Sequence, residues 1–204
     1  MARLMYRALV GIATCAMVML LAGCATTHVD AQWQNPEFAR AALKGPVLVV
    51  GMTKSDAARR LYEDAMAARL SERGVTAIPS YKVLSRPLDE SSSQRILDVA
   101  RTNDATTVLS SVLIRRETVE RLVAGPPGWQ WDPWFTGWYH SYWPYTQSAV
   151  AYERYVANTS LADVATGKTI WSARSSTDDV GSLDHRIRGF ASAIVHALDE
   201  RGLV

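Results

Sequence analysis

The side chains best suited to metal or acid–base chemistry lie near the carboxyl end of the chain. Asp178-Asp179 and Asp184-His185 bring three carboxylates and an imidazole within eight residues. Such oxygen and nitrogen groups could bind a divalent cation. The interpretation we prefer is the polar end of a strand followed by the first turn of a helix, where acidic residues are favourable. The sequence therefore predicts no metal site here.

Sequence motifs for catalysis or cofactor binding are also missing. The histidines outside this cluster, His28, His140 and His196, lack zinc-type spacing. The sequence contains no glycine-rich phosphate loop and no Gly-x-Ser-x-Gly elbow. We therefore expect a protein that is not an enzyme and has no cofactor. The alternative is an envelope hydrolase or a metal-dependent enzyme whose residues meet only in the folded chain.

Cys24 is the residue whose surroundings predict a covalent modification. It ends the tetrapeptide Leu21-Ala22-Gly23-Cys24, at the close of an uncharged run of 15 residues, 8–22, that follows Arg3 and Arg7. The run fits the core of a signal peptide and is short for a membrane span, which needs about 20 apolar residues.

The tetrapeptide resembles the lipobox of bacterial lipoproteins. That resemblance implies removal of residues 1–23 as a signal peptide, transfer of a diacylglycerol to the Cys24 sulfur, and acylation of the new amino terminus by a chain such as palmitate. The residue after Cys24 is Ala25 rather than Asp. By resemblance to lipoprotein sorting in Gram-negative bacteria, this implies the outer membrane, with the protein facing the periplasm and membrane lipid as its first partner.

Removal of the signal peptide changes the composition of the chain. The whole sequence has 22 basic and 20 acidic residues, so loss of Arg3 and Arg7 leaves 20 of each. A neutral chain gives no reason to expect a nucleic-acid partner. Cys15 leaves with the signal peptide and Cys24 becomes the anchor, so no disulfide is expected.

The patterns after Cys24 predict a lipidated tether over residues 24–45 and a single domain over residues 46–204. Residues 47–50 are an apolar β-branched strand, and a helix capped by Thr53 or Ser55 follows it. A second strand over residues 75–78 completes a β-α-β unit, which predicts parallel strands.

The second half of the domain predicts three more strands and two helices. Three serines, 91–93, cap a short helix, and residues 106–114 form a third strand that charged residues 115–121 extend into solvent. Residues 148–164 and a strand from Thr169 form a hairpin, and Ser182 caps the last helix. The order β-α-β-α-β-β-β-α predicts an α+β fold with a mixed sheet of about five strands and helices packed on one face.

Three of these segments resemble a known group of proteins. They are residues 47–51, the helix end Glu72-Arg73-Gly74-Val75, and the hairpin 161–172. Together they resemble uncharacterised bacterial lipoproteins related in fold to the TolB amino-terminal domain and to CsgG-like lipoproteins. The resemblance covers residues 46–204 apart from one insertion. It implies roles in envelope assembly, secretion or accessory functions, and it supplies no catalytic residues.

The insertion, residues 125–148, lies between the third and fourth predicted strands. Residues 129–145 hold nine of the 18 aromatic residues of the chain and five of its seven tryptophans, which is too aromatic for typical disorder. A long connection of this kind is usually functional or disordered. The candidate binding residues are Trp129, Trp131, Trp134, Trp138, Tyr139, Tyr142, Trp143 and Tyr145.

Four interpretations of these rings remain open. They could pack over a bare face or edge of the sheet, contact a protein, stack on a glycan, or lie at the headgroup level of a membrane. We expect a membrane-anchored periplasmic lipoprotein that acts as a non-catalytic adaptor or assembly factor of the cell envelope. Its partner would be an envelope protein or a glycan, bound through the aromatic insertion.

Overall fold

A computed structural model describes residues 27–38, 43, 45–84, 93–124 and 147–204 of the chain. For residues 121–124 and 147–150 the backbone is described and the side chains are not. No described helix combines the length with the hydropathy that a bilayer crossing requires.

The described part of the chain has six strands, three α-helices and two short 3-10 helices at Pro36–Phe38 and Ser80–Lys82. The strands are β1 (Thr27–Gln34), β2 (Val47–Met52), β3 (Ala77–Pro79), β4 (Thr107–Ala124), β5 (Gln147–Asp163) and β6 (Thr169–Asp178). The helices are α1 (Asp56–Ser71), α2 (Ser93–Thr102) and α3 (Leu183–Glu200).

All six strands form one mixed sheet in the order β1-β6-β5-β4-β2-β3. β2 is parallel to β3 and to β4, and the other neighbours are antiparallel. The predicted β-α-β unit is therefore confirmed, with α1 as its crossover. The predicted hairpin is confirmed too, because β5 and β6 pair antiparallel and only residues 164–168 connect them.

The helices cover both faces of the sheet, whereas the sequence predicted helices on one face. α1 and α3 pack on the face of Val47 and Val49, and α2 packs on the opposite face against Leu48 and Val50. Successive residues of a strand point to opposite faces. Because residues 47–50 are apolar throughout, both faces of β2 need cover. The α+β class with a mixed sheet is confirmed.

The sheet has six strands rather than about five, and the additional strand is β1. The tether prediction does not hold for Thr27–Gln34, which pairs antiparallel with β6 from Thr27↔Thr177 to Gln34↔Trp171. The alternation of apolar and polar residues along β1 is weak, because Val29 and Trp33 are its only large apolar residues. A bulge between Val29 and Ala31 also shifts the faces.

α1 and α3 begin at the same end of the sheet, where β2 and β6 stop. Ser55 Oγ accepts a hydrogen bond from the Ala58 amide at 3.2 Å, and Ser182 Oγ accepts one from the His185 amide at 3.2 Å. These contacts cap the helices and confirm two predicted caps. The first turns of both helices therefore stand where β4 and β5 continue beyond their neighbours.

Candidate functional site

β4 and β5 continue past the rest of the sheet as a two-stranded arm, which we define as residues 115–124 and 147–153. Pairing of β2 with β4 ends at Met52↔Val112, and pairing of β6 with β5 ends at Arg154↔Asp178. β4 and β5 stay paired as far as Ala124↔Gln147. At about 3.4 Å per residue, the arm projects roughly 30 Å. The predicted extension of the third strand through residues 115–121 is thus confirmed.

The arm carries the connection formed by residues 125–146, whose two ends are held side by side at Ala124 and Gln147. All the aromatic candidates of the sequence analysis fall in this connection and lie outside the described residues, as does Cys24. Their roles stay predictions. They are Trp129, Trp131, Trp134, Trp138, Tyr139, Tyr142, Trp143 and Tyr145.

A cluster of charged side chains surrounds Tyr155 at the base of the arm. The guanidinium carbons of Arg116 and Arg186 lie 5.2 and 5.3 Å from the centroid of its ring, within cation–π range. Its hydroxyl lies 3.3 Å from carboxylate oxygens of both Glu153 and Asp179. Arg116 pairs with Glu153 at 3.2 Å, and Arg186 pairs with Asp179. The cluster thus joins β4, β5 and α3 with no net charge.

A cavity of about 340 Å³ opens beside Tyr155, and we call it the arm-base cavity. The end of β2, the start of α1, the three long strands and the first turns of α3 form its walls. A register shift between Leu113 and Arg115 lets Leu113 and Arg116, three positions apart, line the same space.

The apolar stripe of α3 divides at this cavity. Ala191, Ile194 and Leu198 are buried in the core, whereas Leu183 and Ile187 line the cavity. Leu183 is 46% exposed, and Leu113 on the opposite wall is 50% exposed. The cavity is therefore bordered by large apolar side chains in contact with solvent.

A chain of three hydroxyl groups lies on the sheet side of the cavity. Tyr62 Oη is 2.7 Å from Ser111 Oγ, which is 2.8 Å from Thr159 Oγ1. Burial raises the pKa of Tyr62, and the hydrogen bond to Ser111 offsets this only in part. The Tyr62 ring approaches Gly51 so closely that a Cβ there would lie 2.8 Å from its Cδ1. Glycine at position 51 therefore makes room for the ring.

A buried ion pair fixes the end of β2 behind this wall. Arg59 is 2% exposed and Glu63 is fully buried, with Arg59 Nε donating to Glu63 Oε1 at 2.9 Å. Glu63 also accepts from the amides of Gly51 and Tyr81 and from Ser80 Oγ. These bonds satisfy a carboxylate that burial alone would strongly disfavour. The network holds α1 against the end of β2.

The acidic cluster of the sequence analysis is divided among arginines. Asp178 accepts from Arg154 Nε at 2.7 Å, and this hydrogen bond is the main cause that raises the pKa of Arg154. Asp179 pairs with Arg186, and Asp184 accepts from Arg188 at 2.8 Å. Within the described ranges, no three His, Cys, Asp or Glu side chains converge as a metal site would require.

Sequence reasoning missed the residues that form the cavity and the cluster beside it. Glu153 and Arg154 lie in a predicted strand, and Arg59 and Glu63 in a predicted helix, where charged side chains are usually solvated. Tyr62 and Ser111 are 49 positions apart. The one local signal was the apolar stripe of α3, which continues through Leu183 and Ile187 to the exposed start of the helix.

The class of protein defined here is an α+β domain whose mixed sheet extends into a two-stranded arm. No protein-family model matches the sequence, and no curated protein matches it significantly. Among solved structures, a PelC dodecamer from Paraburkholderia phytofirmans is 17% identical, with a TM-score of 0.46, over 87% of this chain and 99% of that one. Lipoprotein GNA1162 from Neisseria meningitidis is 16% identical, with a TM-score of 0.41, over 76% and 99%. TM-scores below 0.5 establish neither a shared fold nor a shared function.

Proposed function

We propose that this chain is a lipid-anchored lipoprotein of the bacterial cell envelope that acts without catalysis as an adaptor or assembly factor. It binds an envelope protein or a glycan through the aromatic residues between β4 and β5. The outer membrane, with the domain facing the periplasm, is the location that Cys24 and Ala25 favour by resemblance.

The observation that carries this proposal is the arm. Two strands remain in register to Ala124↔Gln147 after their neighbours in the sheet have ended. A ribbon of two strands is at best marginally stable by itself, so the cluster around Tyr155 supports it at its base. Such a ribbon presents the connection it carries to a partner, and tryptophan and tyrosine dominate the binding energy of protein interfaces.

The position of β1 shortens the predicted tether. Thr27 is already in the sheet, so only Ala25 and Thr26 separate it from Cys24. At about 3.6 Å per residue, an acylated Cys24 would lie within roughly 11 Å of Thr27. An anchored domain would therefore lie directly against the membrane. A tether of residues 24–45 would have allowed a distance of about 70 Å between the domain and the membrane.

A membrane-interface role of the aromatic residues is the second candidate. What supports it is that Thr27 pairs with Thr177, next to Asp178, at the end of the sheet from which the arm projects. The anchor and the arm would therefore leave the domain at the same end. The arm, at roughly 30 Å, is longer than the roughly 11 Å that can separate Cys24 from Thr27. The end of the arm would therefore come within range of the headgroup layer, where tryptophan and tyrosine are favoured.

Replacing residues 125–146 by Asn-Gly would test both candidate functions. This dipeptide closes a two-residue hairpin, so the variant keeps the arm and loses the aromatic residues. A second variant keeps the 22 residues but replaces each aromatic residue among them by serine, which tests the aromatic side chains without changing the length of the connection. Crosslinked pull-downs from intact envelopes should recover a partner with the native chain and with neither variant. Unchanged partners in both variants would contradict the adaptor proposal. Aromatic-dependent binding of the Cys24→Ala protein to lipid vesicles, without a partner, would favour the membrane role.

A further inference from the structure

We propose that the arm-base cavity binds a free fatty acid of on the order of ten carbons, with its carboxylate toward Arg186 and Tyr62. The number of carbon atoms follows from the cavity volume of about 340 Å³. A cavity of about 150 Å³ takes up benzene, which has six carbon atoms, so the larger volume takes on the order of ten. The proposal does not depend on what the arm binds, because all the residues it uses are described and lie at the base of the arm.

The apolar half of the site is exposed when the cavity is empty. Seven large apolar side chains of the described residues are exposed, and two of them, Leu113 and Leu183, line this cavity. Ile187 and Phe190 continue the same wall into the core. Apolar side chains gathered around a concavity mark a binding site more often than those scattered singly. An alkyl chain laid along α3 would remove this surface from water.

The polar half of the site has hydrogen-bond donors without acceptors. Arg186 lines the cavity. Its Nε is closed to solvent and its hydrogen has no acceptor among the described residues, so a ligand head would reach this donor only after the side chain turns. The three hydroxyls of Tyr62, Ser111 and Thr159 share two hydrogen bonds, so one of their three hydrogens is not used among them. Buried donors usually have partners. A ligand that brings hydrogen-bond acceptors to this wall would supply the missing partners. A ligand that brings only donors would not.

A carboxylate meets this requirement better than a neutral or cationic head. Arg116 and Arg186 already balance Glu153 and Asp179, so the cluster neither attracts nor repels an anion through net charge. The hydrogen-bond donors of the cavity wall, rather than its net charge, select the head group of the ligand. A carboxylate is favoured because hydrogen bonds from a guanidinium to a carboxylate are about twice as strong as neutral ones. An ammonium head brings only donors, so it would leave the hydrogen of Arg186 Nε without an acceptor.

Calorimetric titration of sodium decanoate into residues 24–204 carrying Cys24→Ser, purified without detergent, tests the proposal. That chain contains every described helix and strand. We expect one molecule of decanoate per chain, bound at least tenfold more tightly than decylamine or methyl decanoate. Arg186→Met should weaken binding about tenfold. Arg188→Met, on the same helix with its side chain 68% exposed, is the matched control and should change nothing.

Filling the cavity supplies a second and independent test. Ala157→Phe and Ala58→Leu each add bulk to a wall from a different element, so one remains informative if the other does not fold, as circular dichroism would show. Either folded variant should lose decanoate binding at least tenfold. Undetectable binding by the parent chain, equal affinity for decylamine, or unchanged affinity in a folded cavity-filled variant would overturn the proposal. Binding that occurs only after removal of residues 125–146 would also overturn it, because the aromatic residues would then be the occupant.

Discussion

Ala124 is the register partner of Gln147, the last pair of a ladder that begins at Thr107 and Asp163. The two residues that bound the aromatic connection are therefore neighbours, although 22 residues separate them in sequence. The connection leaves and re-enters the domain at one place, at the end of a ribbon whose base is held by Tyr155, Arg116 and Arg186. The arm therefore holds both ends of the connection that contains the proposed binding residues.

The first prediction concerns β1. Deleting Thr27–Gln34 removes the strand that pairs beside Trp171, a side chain that is fully buried. We expect the free energy of unfolding to fall by at least about 2 kcal/mol, because burying a large apolar side chain contributes about 1.5–3 kcal/mol. Urea denaturation would measure it. His28→Ala, an exposed position of the same strand, should change it by at most about 0.5 kcal/mol. A deletion no more harmful than His28→Ala would show that these residues are only a tether.

The second prediction concerns the buried ion pair. Glu63→Gln removes the carboxylate that pairs with the buried guanidinium of Arg59 at 2.9 Å. Breaking a buried ion pair in this way should lower the free energy of unfolding by about 3–5 kcal/mol. Arg60→Ala breaks a pair with Asp56 whose side chains are 57% and 65% exposed, and it should cost at most about 1 kcal/mol. Chemical denaturation of both variants checks the contrast. Equal losses would mean that burial does not distinguish the two pairs.

The third prediction concerns stability at high pH. Because burial raises the pKa of Tyr62, this phenol stays protonated in the folded chain at a pH where it ionises in the unfolded chain. The unfolded state then binds fewer protons, so stability falls as the pH rises above about 10, the ordinary tyrosine pKa. Tyr62→Phe should remove this part of the loss, at a cost of about 1 kcal/mol at neutral pH from the lost bond to Ser111. Parallel pH dependence of both proteins above pH 10 would contradict the assignment.

The fourth prediction concerns the anchor. Cys24→Ala should release the protein from membranes or leave the signal peptide uncut, because the substituted residue has no sulfur to acylate. Membrane fractionation and mass spectrometry of the mature amino terminus would detect both results. Cys15→Ala is the matched control and should leave the protein in the membrane fraction. A Cys24→Ala protein that stays in the membrane fraction although its signal peptide has been cut would contradict lipid anchoring at this residue.

The elements with strong local patterns could be predicted from sequence. The four apolar residues 47–50, the serine caps at Ser55 and Ser182 and the turn at residues 165–168 each have a local physical signal, and the structure has all four features. β1 could not be predicted, because a strand with two large apolar residues and a bulge has no clear period. Its pairing with β6 depends on residues about 140 positions away.

The cavity could not be predicted for a related reason. Tyr62, Ser111 and Arg186 come from a helix, a strand and a second helix, and no spacing in the sequence relates them. The covering of both faces was missed although the apolar residues 47–50 indicated it, because the apolar residues of a helix do not show on which face of the sheet it packs. The aromatic connection could be identified from composition, but its location at the end of an arm required the register of β4 and β5.

Site-specific photocrosslinking in living cells tests the central proposal most directly. A photoreactive amino acid would replace Glu120, an exposed residue of the arm, or Lys168, an exposed residue in the turn at the other end of β5, roughly 40 Å away. We predict an adduct with an envelope protein or glycan from position 120, none from position 168, and loss of the adduct when residues 125–146 are replaced by Asn-Gly. Adducts from position 168 alone, or an adduct from position 120 that survives the replacement, would contradict the adaptor role of the arm.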